Sequence, residues 1–258
     1  MSISLLVPAF NEAEAMARTA SVMKHARQEG LVSAAVVLDG GSTDDTTAVA
    51  RECGVDVVVV STLMPELGDV RGKGDSLFRG VHHLAADWYV FVDADLHNIS
   101  LDHIAALVQP IADADDSSVV FVKGGFVRVD EHGVPRAIPG GRVTEQVGRP
   151  LLSCVDERLA ELTQPLSGQV AVRGDVARQL AFATGYGIEI AMLIDIWRLV
   201  GRAGIVEADM GLIHNRWKPE GDLDDVARQV LAGAALRGVT LPEWGVVTHP
   251  DVIDRSVL

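Results

Sequence analysis

Between Ile3 and Val92 short apolar runs alternate with longer mixed ones, and this beat restricts the fold more than any other feature of the chain. Ile3 to Val7, Ala34 to Leu38, Asp56 to Val60 and Trp88 to Val92 are rich in β-branched and aromatic residues and too short for helices, so they predict buried strands. Three helices are predicted between them. One is opened by Asn11, reaches about Gln28 and is stopped by Gly30. One is capped by Ser42 or Thr43 and ends at Cys53 before Gly54. The third follows a loop with Pro65, Gly68, Gly72 and Gly74 and reaches about Ala86. A β-α-β-α-β-α-β order implies a mostly parallel sheet with right-handed crossovers. Ligands of open α/β sheets bind beyond the carboxyl ends of the strands. The G-x-G-x-x-G dinucleotide fingerprint is missing after the first run, which disfavours a nicotinamide or flavin enzyme.

The second half is less regular. Leu101 to Ala112 reads as a helix, Val119 to Val129 as a long strand, Glu131-His132-Gly133 as a turn, and Pro139 to Thr144 as the approach to another helix. Gln169 to Val172 is a candidate strand before a helix near Asp175, and Ile188 to Val200 is a strongly apolar helix interrupted by Asp195. Val206 to Ile213 predicts a strand. Asp222 to Arg237 is amphipathic, with Val226, Val230, Leu231 and Ala234 on one face. No repeat, low-complexity tract or linker interrupts the chain, so one domain is expected over residues 1–258, divided near residue 97.

With 258 residues, 48% of them hydrophobic, the chain can bury a substantial core. A net charge of −14 argues against a duplex-binding face and against a polybasic membrane anchor. A small anionic ligand would therefore need a local basic cluster. Cys53 and Cys154 lack metal-ligand spacing and lie in helical-looking stretches, which predicts buried free thiols in a reducing cytoplasm. The first apolar run is short, is stopped by Pro8, Asn11 and Glu12, and predicts a strand rather than a signal peptide; no window approaches transmembrane length.

Asp93-Ala94-Asp95 follows the fourth predicted strand. Carboxylates at i and i+2 can hold a hard divalent cation that also takes phosphate oxygens, although such pairs also simply cap helices. Pro8-Ala9-Phe10-Asn11-Glu12 and Asp39-Gly40-Gly41-Ser42 end the first two strands. Singly, Asn11 and Asp39 read as caps and turn formers; three polar clusters on one edge favour a nucleotide pocket. Arg71-Gly72-Lys73-Gly74 offers a point charge to a diphosphate, or is an exposed basic turn. Gly140-Gly141-Arg142-Val143-Thr144 opens a predicted helix whose free N–H groups, arginine and hydroxyl suit an anion; the plainer alternative is a glycine turn capped by Thr144. Gly185-Tyr186-Gly187-Ile188-Glu189 sets a carboxylate at a helix start, where the dipole alone would favour it. His214-Asn215-Arg216 offers an imidazole to a metal and a guanidinium to a phosphate, or is structural.

Together these segments resemble the GT-A fold glycosyltransferases, and more narrowly the glucosyl-3-phosphoglycerate synthases. Val7 to Glu12, Leu38 to Thr46, Gly72-Lys73-Gly74 and Val90 to Leu96 mark GT-A transferases generally. Gly140 to Glu145, Arg149 to Leu152, Gln164-Pro165-Leu166, Gly185 to Ile190 and Arg228-Gln229-Val230 extend the likeness over nearly the whole chain, and Gly-Arg-Val-Thr and Gly-Tyr-Gly-Ile-Glu-Ile are its narrower signal. The resemblance implies an α/β, Rossmann-like GT-A fold with a mostly parallel sheet, flanking helices and a smaller acceptor-binding subdomain. Residues 1–97 would form the nucleotide-sugar half and residues 98–258 the acceptor half. It implies a metal-dependent, retaining transfer of a hexose, glucose from UDP-glucose, to 3-phosphoglycerate or glycerate.

On this likeness Pro8, Ala9, Glu12, Asp39, Gly40, Lys73, Asp93 and Ala94 hold the donor, and Asp95 and His214 bind Mg2+ or Mn2+. Gly141, Arg142, Val143, Thr144 and Arg216 bind the acceptor, and Asp93, Asp95 and Glu189 form the catalytic set, with Glu189 on the transferred sugar. The implied partners are a nucleotide sugar and a small anionic acceptor, without nucleic acid or a membrane span, in the cytoplasm; a homodimer is left open. The chain has Gly40 where the family usually has Ser, and Ser167 and Gln169 where it has Gly and Glu. Two readings compete: a GT-A transferase for another acceptor, such as a lipid phosphate or sugar alcohol, and a nucleotidyltransferase or inactive nucleotide-sugar binder. A nucleotidyltransferase would want a basic, glycine-rich loop where this chain has Pro8 to Glu12.

Overall fold

The computed structural model describes residues 1–113, 118–138, 140–215 and 220–241, and of residues 113 and 220–222 the backbone alone. In chain order the elements are β1 (Ile3–Ala9), α1 (Ala13–Gln28), β2 (Ala34–Asp39), α2 (Thr46–Glu52), β3 (Asp56–Val59), α3 (Lys73–His83), β4 (Trp88–Phe91), α4 (Leu101–Asp113), β5 (Phe121–Arg128), α5 (Arg149–Ser153), α6 (Glu157–Ala160), β6 (Val170–Arg173), α7 (Gly174–Ala177), α8 (Ile188–Val200), β7 (Ile205–Ile213) and α9 (Glu220–Ala235). The strands form one seven-stranded sheet in the order β3-β2-β1-β4-β6-β5-β7. β1, β2, β3 and β4 are parallel, as the alternation predicts. β6 runs antiparallel to both β4 and β5, while β5 and β7 are parallel. The carboxyl ends of β1, β2, β4, β5 and β7 therefore meet the amino end of β6 at one edge.

Side chains of the central strands alternate between two cores. Leu5, Val7, Val37 and Val90 pack with Met16, Ala20 and Met23 of α1 and Ile104, Leu107 and Ile111 of α4. Leu6, Leu38, Tyr89 and Phe91 pack on the other face with Leu77 and Val81 of α3 and Ile190, Leu193, Ile194 and Trp197 of α8. Each such side chain, fully buried, contributes about 1.5–3 kcal/mol, and the period-two pattern fixes the register of the parallel strands. Almost every face of α8 is buried, and the Asp195 that interrupts it is held by Arg237 at 2.7 Å. No helix among the described residues is long and apolar enough to cross a membrane.

Several expectations need correction. Asn11 does not cap α1; its φ is 56°, and Glu12 stands at the helix entry instead. Neither Ser42 nor Thr43 caps α2, which starts at Thr46 after Asp45; their groups bond across the loop to Asn11. The third helix ends at His83 rather than Ala86. Leu231 points away from the buried face of α9, whereas Val230 and Ala234 lie on it. Both cysteines are free, but Cys154 is exposed and Cys53 only half-buried. The Pro139 approach and Arg216 lie outside the described residues.

Candidate functional site

The converging strand ends line a cleft of about 1000 Å³. Pro8, Ala9, Glu12 and Gly40 form one wall, Lys73, Asp93, Ala94, Asp95 and Glu189 the middle, and Gly141, Arg142, Val143 and Thr144 the opposite wall. The structure thus brings most residues of the expected site together. Asp39 is the exception on the donor side: it is buried behind Gly40, and its carboxylate accepts the N–H groups of Gly41 and Ser42 at 3.3 and 3.1 Å. The turn-forming role expected of an Asp at a strand end is realised. The first two loops are locked together, because Asn11 N–H donates to Ser42 Oγ at 2.9 Å and Glu12 N–H to Thr46 Oγ1 at 2.8 Å.

The middle of the cleft is an ion cluster. Lys73 is the first residue of α3, entered through Gly72 at φ 78°, and that entry swings the side chain inward. Lys73 Nζ donates to Asp93 Oδ1 and, at 2.6 Å, to Glu189 Oε1. Burial opposes its charge, but the two carboxylates outweigh burial and hold it above the ordinary lysine range. Lys73 is thus not a bare charge awaiting a phosphate; it ties the Asp93 strand end to the start of α8. Glu189 is more than a helix-dipole partner for the same reason. Gln169, the residue just before β6, completes the cluster. Its Oε1 accepts the Asp93 N–H at 2.9 Å, and its Nε2 donates to Asp93 Oδ2 at 2.7 Å. Gly168 makes the approach possible, since a Cβ there would stand 2.2 Å from Lys73 Nζ and 2.7 Å from Asp93 Oδ2.

Asp95 and His214 are brought together by a β-bridge between Leu96 and Asn215. The His97 N–H donates to the His214 carbonyl at 2.8 Å, and the His214 N–H to Asn98 Oδ1 at 2.7 Å. The His97 ring stacks on His214 with 4.9 Å between centroids. Burial, then the neighbouring His97 and Arg136, lower the His214 pKa, which favours the neutral imidazole a metal needs. Among the described residues no three His, Cys, Asp or Glu side chains converge as a closed metal cage. Asp95 lines the cleft and His214 lies between its lining residues Ile213 and Asn215; a carboxylate and a neutral imidazole are donor types that suit a divalent ion whose shell is completed by substrate phosphate and water.

On the far wall the helical stretch opens at Arg142 as expected but then forms a π-helical turn, Thr144–Gly148, before α5. Thr144 is buried inside that turn rather than capping it. Three further residues belong to the site and were missed from sequence. Arg128 ends β5 on the cleft wall. Lys123 is 1% exposed and donates to the Ser167 carbonyl at 2.8 Å, securing the turn that carries Gly168 and Gln169. Desolvation pushes its pKa down to about 7. Gln169 was visible only as a departure from the family. A lysine within the apolar run Val119 to Val129 was the available signal for Lys123; nothing in the sequence pointed to the pairing of Gln169 with Asp93.

The glycosyl transferase family 2 pattern matches residues 4–149 of the chain. The chain is 35% identical over 232 residues to the glucosyl-3-phosphoglycerate synthase of Mycolicibacterium smegmatis, covering 90% of this chain and 76% of that protein. It is 36% identical over 219 residues to the glucosyl-3-phosphoglycerate synthase of Petrotoga mobilis, covering 83% of this chain and 67% of that one. The crystal structure of the Mycobacterium tuberculosis glucosyl-3-phosphoglycerate synthase in complex with Mn2+, UDP-glucose and phosphoglyceric acid superposes with a TM-score of 0.83 at 34% identity, covering 95% of this chain and 82% of that chain. A GT-A architecture, the carboxylate pair at the end of β4 and these likenesses agree: the chain belongs to glycosyl transferase family 2.

Proposed function

We propose that the protein transfers glucose from UDP-glucose to 3-phosphoglycerate with retention of configuration. The observation that carries this reading is the Lys73 cluster, which sets Asp93 and Glu189 between the β1 and β2 strand ends and the Gly141–Thr144 wall. Relatives named for this activity, and crystals of one of them with Mn2+, UDP-glucose and phosphoglyceric acid, support it. Residues 1–97 supply most of the donor side, with Pro8, Ala9, Glu12 and Gly40 at the nucleotide; residues 98–258 supply the acceptor side.

In the reaction the bond from glucose C1 to the β-phosphate oxygen breaks. A bond from the acceptor hydroxyl oxygen to C1 forms on the same face, and the hydroxyl proton passes to the departing phosphate. When bound at Asp95 and His214, Mn2+ or Mg2+ neutralises charge on the diphosphate. The chain's own groups act on the sugar. Asp93 and Glu189 face C1 as positive charge builds there, and Lys73 fixes both carboxylates so that no reorganisation is needed at that moment. Gln169 keeps Asp93 from rotating. Gly141 to Thr144 receive the acceptor. The test is a panel of UDP- and GDP-sugars against 3-phosphoglycerate, glycerate and uncharged glycerol, read as nucleotide diphosphate release. UDP-glucose with 3-phosphoglycerate is expected to react fastest. Preference for a GDP-sugar, or equal reaction with glycerol, would overturn the reading.

A further inference from the structure

The loop from Ser61 to Gly72, between β3 and α3, has no buried side chain, so apolar packing cannot hold it. It is held instead by Arg79, a fully buried arginine on α3 that the chemistry above does not use. Arg79 Nη1 donates to the Leu63 carbonyl and Nη2 to the Gly68 carbonyl, both at 2.9 Å. Between those carbonyls Met64 keeps a φ of 49°, which a bulky side chain rarely adopts without outside support. The guanidinium also grips Asp75 with two bonds, Nε to Oδ1 and Nη2 to Oδ2, each 3.0 Å. A buried charge is tolerated where it is paired and hydrogen-bonded, and here both conditions are met.

The Asp75 carboxylate passes this anchoring on toward the cleft. Asp75 Oδ2 accepts the Arg71 N–H at 2.8 Å, and the Arg71 carbonyl accepts the Gly185 N–H at 3.2 Å. Arg71 is thus clamped on both sides of its backbone, just ahead of Lys73 and, through Gly185, just ahead of Glu189. The two segments meet backbone to backbone, since a Cβ on Gly72 would stand 3.2 Å from the Gly185 Cα. We propose that Arg79 is a positioning residue, acting through Asp75 and Arg71 to set Lys73 and Glu189 opposite each other. This rests on the Lys73 cluster being where the glucosyl group is transferred.

The test compares the native protein with Arg79→Lys and with the double variant Arg79→Met/Asp75→Leu. Lysine keeps the charge but cannot span Asp75, Leu63 and Gly68 at once. The apolar pair removes the clamp and spares the fold a lone buried charge, so it decides the matter should Arg79→Lys misfold. With UDP-glucose and 3-phosphoglycerate both variants should lose about tenfold or more in kcat, while the acceptor KM stays within about threefold. Amide hydrogen exchange should quicken in residues 61–72 and 185–189 and hold steady in β1, β4 and α1. A role in stability alone would quicken exchange throughout the chain and leave kcat per folded molecule unchanged, which overturns the proposal. Native kcat in the folded double variant, or native exchange over residues 61–72 in both variants, also overturns it, and each of these results leaves the transferase reading intact. If the native protein itself releases no nucleotide diphosphate with this pair of substrates, the transferase reading falls and the role of Arg79 with it.

Discussion

Replacing Lys123 by Met should stabilise the protein at low pH and lose most of that advantage as pH rises. Lys123 is 1% exposed, and desolvation lowers its pKa from 10.5 to about 7. Between those values the unfolded chain carries a proton that the folded chain does not, so folded-state stability rises with pH by about 1.4 kcal/mol per unit. Below pH 7 both states are protonated and the full penalty stands, on the order of 5 kcal/mol for a pKa held down at about 7. Met has similar length and no charge, so the variant escapes this penalty but strands the Ser167 carbonyl, which Lys123 contacts at 2.8 Å. That loss costs about 1–3 kcal/mol. Lys123→Met should therefore be more stable than the native protein by about 2–4 kcal/mol at pH 6.5 and within about 1 kcal/mol of it at pH 9, where the penalty has fallen to about 2 kcal/mol. Urea unfolding of both proteins at the two pH values measures the difference, and groups common to both cancel. Curves that stay parallel from pH 6.5 to 9 would refute the reasoning.

Gly168→Ala puts a methyl group 2.2 Å from Lys73 Nζ. The lysine must leave Asp93, and kcat should fall more than about tenfold with UDP affinity little changed; an unaltered kcat would mean the Lys73–Asp93 contact is dispensable. Gln169→Leu removes its two hydrogen bonds to Asp93, which should lower unfolding stability by about 2–4 kcal/mol together with kcat, and stability equal to the native protein in thermal scans would contradict this. Asp95→Ala should retain the native melting temperature and weak UDP binding but lose the tightening that Mn2+ produces in calorimetry. Normal turnover by that variant in chelator would show that the metal sits elsewhere.

Local rules made much of this protein legible. The short β-branched and aromatic runs of β1, β2 and β4 and the long apolar stretch of α8 are local features of the chain, and α8 runs from Ile188 to Val200 as that stretch predicts. Asp93, Asp95 and the Gly141–Thr144 segment were candidates from sequence because polar and glycine residues cluster just beyond predicted elements. The direction of β6 did not, because an apolar run as short as Val170-Ala171-Val172 reads the same in either orientation. Its antiparallel pairing with β4 brings Gln169 and Gly168 to Asp93, across 76 residues of chain. In the same way Lys73 meets Glu189 across 116 residues. Whether a lysine is a free charge for phosphate or the centre of an ion cluster depends on which carboxylates the folded chain sets beside it and how much water they exclude. Those quantities belong to the packed tertiary structure, and no local pattern in the chain carries them.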